Sequence, residues 1–171
     1  MKGYVHVYTG DGKGKTTAAL GLALRAAGAG LRVYIAQFVK GMHYSELDAL
    51  KRFPDLITVK QYGRDCFIRN RPTEEDIRSA RTGLEEVREL LGSGAYQVFI
   101  LDEANIAVYY NLFSAAELAE LIRERPANVE IVITGRRAAP EILELADLVT
   151  EMKEIKHYYN EGVLARAGIE T

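Results

Sequence analysis

The residues best suited to chemistry form one glycine-rich segment, TGDGKGKTT, which runs from Thr9 to Thr17. Glycines let consecutive backbone N–H groups turn toward phosphate oxygens, and the start of a following helix adds the positive end of its dipole. In such a loop Lys15 supplies a positive charge to the phosphates, and the Thr16 hydroxyl is a ligand for magnesium. The P-loop pattern asks for glycine where Thr9 stands. The segment predicts a nucleotide site, with an ordinary glycine-rich turn and a surface lysine as the alternative.

An acidic pair follows a second apolar run, VFILDE, in which Asp102 and Glu103 come last. Ligands of open α/β sheets bind outside the carboxyl ends of the strands, so this pair is placed to hold magnesium directly or through water. The alternative is that the two carboxylates only cap the following helix. A third apolar run ends in ITGRR, where Arg136 either faces the same crevice or is a solvated loop charge.

The elements that must position these residues alternate regularly. Runs of β-branched and aromatic residues predict strands at 4–8, 32–39, 57–62, 97–102, 129–134 and 148–152. Helices are predicted from Lys15 to Gly28, over 45–53, after Thr73, after Ser114 as a capping box with Glu117, and near Pro140. Apolar strands that alternate with helices indicate an α/β fold of the P-loop NTPase-like type. We expect one domain over 1–171, with a mostly parallel sheet and helices on both faces.

The helix after Thr73 shows the clearest periodicity, and it is expected to end at Gly92 and Gly94. Its apolar residues recur at the three-and-four spacing of one buried face. These residues are Ile77, Ala80, Leu84, Val87 and Leu91.

Composition excludes several classes of function. A formal net charge of −2 gives no broad positive field for a nucleic-acid backbone, so nucleic acid is not an expected partner. The lone Cys66 cannot form an intramolecular disulfide, which fits the reducing cytoplasm. No apolar run is long enough to span a membrane, and the start MKGYVHVYTG lacks the pattern of a signal peptide. We therefore expect a cytoplasmic protein that begins at its first strand.

Several further motifs accompany the loop along nearly the whole chain. They are GDGKGKTTAALG, AQFVKG (36–41), ILDE (100–103), ITGR (133–136), EILELAD (141–147) and the closing KHYYNEGVLARAGIE. With them the chain resembles the corrinoid adenosyltransferases of the CobA type, also called CobO or BtuR. A P-loop alone occurs in many ATPases and kinases, whereas the KH, G and GI positions of the closing block after ITGR are particular to this family.

The resemblance implies a homodimer that uses ATP and Mg²⁺ to adenosylate a cobalt corrinoid, such as cobalamin, cobinamide or cobyrinic acid diamide. It also implies an electron donor, such as a flavoprotein, that reduces cob(II) to cob(I). Residue by residue, Lys15 and Glu103 become the catalytic candidates, and Thr16, Glu103 and Asp102 the metal candidates. Arg25 is a nucleotide candidate or a surface helix residue. The nucleotide candidates are Thr9, Gly10, Asp11, Gly12, Lys13, Gly14, Lys15, Thr16, Thr17, Arg25 and Arg136.

The chain departs from the family pattern at two places. Asp11 stands where the family loop often has asparagine, which puts a negative charge near the nucleotide unless the side chain points away or binds metal. The segment GRDCFIRN from Gly63 stands where well-known members carry an aromatic FTW segment. We assign Phe67 to the lower face of the corrin, with a loop anchor as the alternative, and interpret Cys66 as structural.

Two other function classes use the same phosphate loop and acidic strand end. A small-molecule kinase would transfer the γ-phosphoryl group of ATP, and a nucleotide-dependent switch ATPase would couple hydrolysis to a partner. Both would leave ADP, whereas adenosyl transfer to cobalt leaves all three phosphates together.

Overall fold

The computed structural model describes residues 2–64 and 71–170. Within them the strands form one six-stranded parallel sheet in the order β3-β2-β4-β5-β1-β6. The strands are β1 (Val5–Thr9), β2 (Val33–Phe38), β3 (Ile57–Tyr62), β4 (Val98–Asp102), β5 (Glu130–Thr134) and β6 (Leu148–Glu151). The predicted α/β fold with a parallel sheet is confirmed.

Helices cover the two faces of this sheet. They are α1 (Lys15–Gly28), α2 (Ser45–Leu50), α3 (Glu74–Ser93), α4 (Ala104–Tyr109), α5 (Ala115–Glu124) and α6 (Pro140–Leu145), and a 3-10 turn spans Tyr158–Glu161. One apolar cluster joins α1 and Leu50 of α2 to side chains such as Ile35 and Ile100. The other joins the remaining helices to side chains such as Phe99 and Ile133. Each fully buried aliphatic side chain contributes about 1.5–3 kcal/mol, so both faces stabilise the sheet.

Local signals define the longer helices as predicted. The Thr73 hydroxyl accepts a hydrogen bond from the backbone N–H of Asp76, whose carboxylate accepts one from the N–H of Thr73, and Ser114 and Glu117 form the same reciprocal box. In α3 the predicted apolar face is buried, with Ile77 partly so. Helix α3 continues through Gly92, contrary to the prediction, and ends at Ser93 before Gly94, whose φ of 70° is readily adopted by glycine.

Two features of the sheet and its helices were not predicted from the sequence. Helix α4 was not predicted, because its six residues follow Glu103 without a serine or threonine cap and are too short for a clear period. Strand β6 is an exposed edge strand along its whole length, so coverage of both faces does not extend to it. Elsewhere the predicted and observed ends differ by no more than three residues; the second helix ends at Leu50 rather than at 53.

The order of strands determines which loops meet. Strand β5 lies between β1 and β4, with Tyr8 opposite Thr134 and Leu101 opposite Ile133. Because all strands are parallel, the glycine-rich loop after β1 and the acidic end of β4 lie at the same edge. No helix in the described part of the chain is both long and apolar enough to cross a membrane.

Candidate functional site

The glycine-rich loop between β1 and α1 needs its glycines for both conformation and space. Gly10 and Gly14 have φ angles of 92° and 117°, in the left-handed region that favours glycine. A Cβ atom on Gly10 would lie 2.4 Å from the carbonyl oxygen of Met152, and one on Gly12 would lie 2.7 Å from the same atom. The loop therefore passes directly against the end of β6, and the N–H of Gly12 donates to the Met152 carbonyl at 2.7 Å.

Lys15, the first residue of α1, points back into this loop. Its ammonium donates to the carbonyl oxygens of Gly10 at 2.8 Å and Gly12 at 2.7 Å, and the residue is only 7% exposed. Burial lowers the pKa of Lys15, while the negative charge of Glu103 opposes that shift. The structure thus places a buried positive charge at the centre of the loop.

Asp102, the last residue of β4, makes more side-chain hydrogen bonds than the other residues described at this site. It is completely buried, and both carboxylate oxygens accept hydrogen bonds. Oδ1 accepts from the hydroxyls of Thr16 at 2.8 Å and Thr134 at 2.7 Å. Oδ2 accepts from the Gln37 amide at 3.2 Å and the Lys40 ammonium at 2.7 Å. One carboxylate therefore ties α1 to β5, β2 and the segment after β2.

Lys40 and Asp102 form the site's buried ion pair. Burial lowers the pKa of Lys40, but the charge and hydrogen bond of Asp102 outweigh that effect and the net pKa is raised. The ammonium also lies 3.2 Å from the Thr16 hydroxyl oxygen. A buried pair with several further hydrogen bonds holds its members in one arrangement, and loss of either partner leaves an uncompensated charge.

Glu103 begins α4 in a strained backbone conformation. Its φ of 60° and ψ of 20° are left-handed values, which cost energy for a residue with a side chain. The N–H donates to the Thr134 hydroxyl at 2.9 Å, which fixes the turn directly after Asp102. Burial raises the pKa of Glu103, as does the charge of Asp102, while Lys40, Lys15 and Arg136 act in the opposite sense. Strain of this kind is frequently retained at functional sites.

The two arginines predicted from the sequence, Arg136 and Arg25, and the neighbouring Arg137 take different positions. Arg136 is exposed and follows the end of β5, and its positive charge lowers the pKa of both Lys15 and Glu103. Arg137 instead stacks on the ring of Tyr109, 4.2 Å from its centroid. Arg25 is exposed and lies ten positions along α1 from Lys15, which corresponds to about 15 Å of helix rise, so the structure does not place it in the loop.

The other loop residues divide between the site and the surface. Thr9 ends β1, whereas the side chains of Asp11 and Thr17 are exposed. Lys13 points away to the end of the chain, where its ammonium donates to the Ile169 carbonyl at 2.7 Å and lies 3.4 Å from the Glu170 carboxylate. This contact attaches the closing sequence block to the loop.

The residues present suit a magnesium ion. Thr16 supplies a hydroxyl, and Asp102 and Glu103 supply carboxylates at the same strand end, which are the oxygen ligands Mg²⁺ prefers. Across residues 2–64 and 71–170 no three His, Cys, Asp or Glu side chains surround a common metal position. A site of this donor set is completed by phosphate oxygens and water, because Mg²⁺ keeps much of its hydration.

Sequence reasoning missed three members of the site: Gln37, Lys40 and Thr134. All three fall within or beside quoted motifs, AQFVKG and ITGR, so the motifs were the available signal. Two histidines outside this cluster make local contacts: His43 lies 3.1 Å from exposed Asp48, and His157 accepts a hydrogen bond from the Tyr159 N–H at 3.0 Å. Phe67 and Cys66 lie outside the described residues, so their assignments stay predictions.

Comparison with known proteins identifies one family. Residues 1–171 match the family described as ATP:corrinoid adenosyltransferase BtuR/CobO/CobP. A corrinoid adenosyltransferase of Escherichia coli is 36% identical over 170 residues, which cover 99% of this chain and 86% of the relative. One from Pseudomonas aeruginosa is 34% identical over 170 residues, covering 99% and 84%. Corrinoid adenosyltransferase CobA of Salmonella typhimurium is 34% identical over 170 residues, covering 99% and 86%.

Proposed function

The chain belongs to the ATP:corrinoid adenosyltransferase family BtuR/CobO/CobP, and we propose that it transfers the 5′-deoxyadenosyl group of ATP to the cobalt of a reduced corrinoid. The observation that carries the proposal is the match to this family over the full 171 residues. The site supports it, because the glycine-rich loop and the acidic strand end are joined through the Thr16–Asp102 hydrogen bond of 2.8 Å. One domain over 1–171 would bind both substrates.

The chemistry requires attack at carbon. The electron pair of cob(I) forms the cobalt–carbon bond to C5′, the bond between C5′ and the α-phosphate oxygen breaks, and that bonding pair leaves with tripolyphosphate. Cobalt passes formally from the +1 to the +3 state, and no proton is transferred. A general base is therefore unnecessary, and catalysis depends on placement of C5′ and on stabilisation of the leaving group.

The described residues can meet both needs. Lys15, the loop N–H groups and Arg136 would neutralise the triphosphate, while the glycines let the backbone approach it closely. Thr16 and Glu103 would hold Mg²⁺, which when bound supplies further positive charge to the leaving group. Asp102 accepts four hydrogen bonds, so it positions Thr16 and Lys40, and its carboxylate is the third candidate ligand for Mg²⁺.

The reductive half of the reaction needs a partner. Cob(II) must gain one electron before it can attack, and an electron donor such as a flavoprotein would supply it. Phe67 would pack on the lower corrin face and favour loss of the lower axial ligand. The homodimer rests on the family resemblance, and the cytoplasmic location rests on the lone Cys66.

The leaving group provides the test. The protein would be incubated anaerobically with MgATP, a corrinoid and a strong chemical reductant, and the phosphorus products resolved by ³¹P NMR beside the cobalt product. We expect tripolyphosphate in equal amount to a light-sensitive cobalt–carbon product. A kinase or switch ATPase breaks a bond to phosphorus, so ADP as the main corrinoid-dependent product would falsify the proposal. A Lys15→Ala sample controls for contaminating ATPases.

A further inference from the structure

The Lys40 ammonium stands where two candidate magnesium ligands meet. It lies 2.7 Å from Asp102 Oδ2 and 3.2 Å from the Thr16 hydroxyl oxygen, and these two residues are themselves hydrogen-bonded at 2.8 Å. The side chain of Lys40 is only 15% exposed, so the charge is enclosed with the oxygens it contacts. A divalent ion that used the Thr16 hydroxyl and the Asp102 carboxylate would have to replace this ammonium, because like charges at such distances repel strongly.

The backbone holds Lys40 in this place. Val39, directly before it, has a φ of 60°, a left-handed value that a β-branched residue seldom adopts. A Cβ atom on Gly63 would lie 2.5 Å from the backbone nitrogen of Lys40. The residue that follows β3 therefore packs directly against the backbone of Val39 and Lys40. The Tyr44 ring lies beyond the ammonium, 5.4 Å from centroid to Nζ. Strain at Val39 and the close approach of Gly63 both fix the lysine's direction.

We propose that Lys40 is a resident cation that competes with divalent metal for the Thr16–Asp102 position. In the nucleotide-free protein its ammonium neutralises Asp102 and keeps free Mg²⁺ out. The metal then enters with the triphosphate, whose negative oxygens compensate the added charge, and Lys40 gives up its contact with Thr16. This inference rests on the role of magnesium in the proposed function. It adds that the metal binds together with the nucleotide and not before it.

The experiment measures binding of Mn²⁺ to nucleotide-free protein by electron paramagnetic resonance. Lys40→Met should bind Mn²⁺ at least about tenfold more tightly than the original protein, because a unit positive charge beside the ion is gone. Lys40→Gln retains a hydrogen-bond donor toward Asp102 without the charge and should shift affinity in the same direction. Lys40→Arg keeps the charge and should remain as weak as the original. Circular dichroism establishes that each variant is folded.

Two comparisons separate direct competition from a general charge effect. Lys153→Met removes another lysine whose backbone adjoins the loop, and it should leave Mn²⁺ binding unchanged. In the Lys40→Met background, Asp102→Asn should remove the gain in affinity. Unchanged or weaker Mn²⁺ binding in both Lys40→Met and Lys40→Gln would overturn the inference, as would an equal gain in Lys153→Met. The product assay for the proposed function is independent of this Mn²⁺ measurement. Tripolyphosphate can be the product even if Lys40 does not compete with metal. ADP as the product would contradict the proposed function without bearing on the competition.

Discussion

The ammonium of Lys13 lies 2.7 Å from the carbonyl oxygen of Ile169, although 156 positions separate the two residues. This bond joins the glycine-rich loop to the last residues described. Glu170 strengthens the attachment from within the same block, since it accepts hydrogen bonds from Tyr158 and from the backbone and side chain of Arg166. The closing sequence block is thus a structural neighbour of the loop rather than a separate tail.

Lys13→Met should loosen the closing block without unfolding the protein. The lysine is partly exposed, and such contacts contribute less than about 1 kcal/mol, so amide exchange in peptides covering 158–170 should accelerate about two- to fivefold. Hydrogen–deuterium exchange with mass spectrometry measures this directly. Lys51→Met removes an exposed lysine paired with Asp48 and serves as the control. Exchange that does not change in the Lys13 variant would show that the block is held by other contacts.

Lys15→Ala should abolish most ATP binding and also weaken the fold slightly. Loss of a charged donor to phosphate predicts a rise of about 10- to 100-fold in the dissociation constant for ATP, measured by isothermal titration calorimetry. The side chain also donates to the Gly10 and Gly12 carbonyls, so the free energy of unfolding should fall by about 1–2 kcal/mol. Lys51→Ala is the surface control. Tight ATP binding in Lys15→Ala would contradict the phosphate role of the loop.

Asp102→Asn should be the most destabilising of these changes. It keeps the volume but leaves Lys40 without its counter-charge and turns an amide toward neighbouring donors, a loss of about 3–5 kcal/mol for a broken buried pair. The chain contains no tryptophan, so urea unfolding would be followed by circular dichroism. Asp48→Asn, a change at an exposed side chain, serves as the control and should affect stability far less.

A second substitution tests whether the ion pair causes that loss. Adding Lys40→Met to Asp102→Asn removes the uncompensated ammonium and should restore part of the stability, which makes the two effects non-additive. Strictly additive losses would show that Asp102 acts through Thr16 and Thr134 instead.

The parts of the site that were predictable are those with local causes. Glycines at left-handed positions, the lysine and threonine that follow, and acidic residues at the end of an apolar strand are all apparent within a few neighbouring residues. The capping boxes at Thr73 and Ser114 are local in the same sense. The box at Ser114 was predicted correctly, whereas at Thr73 only the start of a helix was predicted.

The parts that escaped prediction depend on strand order and on turns. Lys40 reaches Asp102 because β2 lies beside β4 and because Val39 adopts a left-handed conformation, which nothing in the residue type suggests. Thr134 reaches Asp102 because β5 lies between β1 and β4 in the sheet. The alternation of strands and helices along the sequence does not determine this strand order. The contact between Lys13 and Ile169 joins residues still farther apart in the sequence. It could not be predicted, so Lys13 was assigned to the nucleotide from the motif alone.

Phe67→Ala should affect the reductive step more than the transfer step. If the ring displaces the lower ligand of cobalt, the reaction from cob(II) with a weak reductant should slow by at least about tenfold, while the reaction from chemically preformed cob(I) changes little. Both rates are measured by absorbance of the corrinoid under anaerobic conditions. Equal loss from the two starting states would show that Phe67 only anchors its segment or binds the corrin.

Glu103→Gln should weaken magnesium-dependent activity and stabilise the protein at neutral pH. Replacing a candidate metal ligand predicts at least about a tenfold loss of rate, with a higher requirement for Mg²⁺. Stability should change in the opposite direction, because burial and the neighbouring Asp102 charge raise the pKa of Glu103 in the folded protein. The unfolded chain, by contrast, has the ordinary glutamate pKa.

The sign of the pH dependence follows from where the proton is held. Above the ordinary glutamate pKa the unfolded chain releases this proton while the folded protein retains it, so the free energy of unfolding falls as pH rises. The fall ends above the raised pKa of the folded state. Glutamine has no such titration, so the stability advantage of Glu103→Gln should grow from about pH 4.5 upward and then level off in urea unfolding followed by circular dichroism. Glu85→Gln, an exposed change on α3, should show no comparable trend, and an advantage for Glu103→Gln that shrinks as pH rises would contradict the raised pKa.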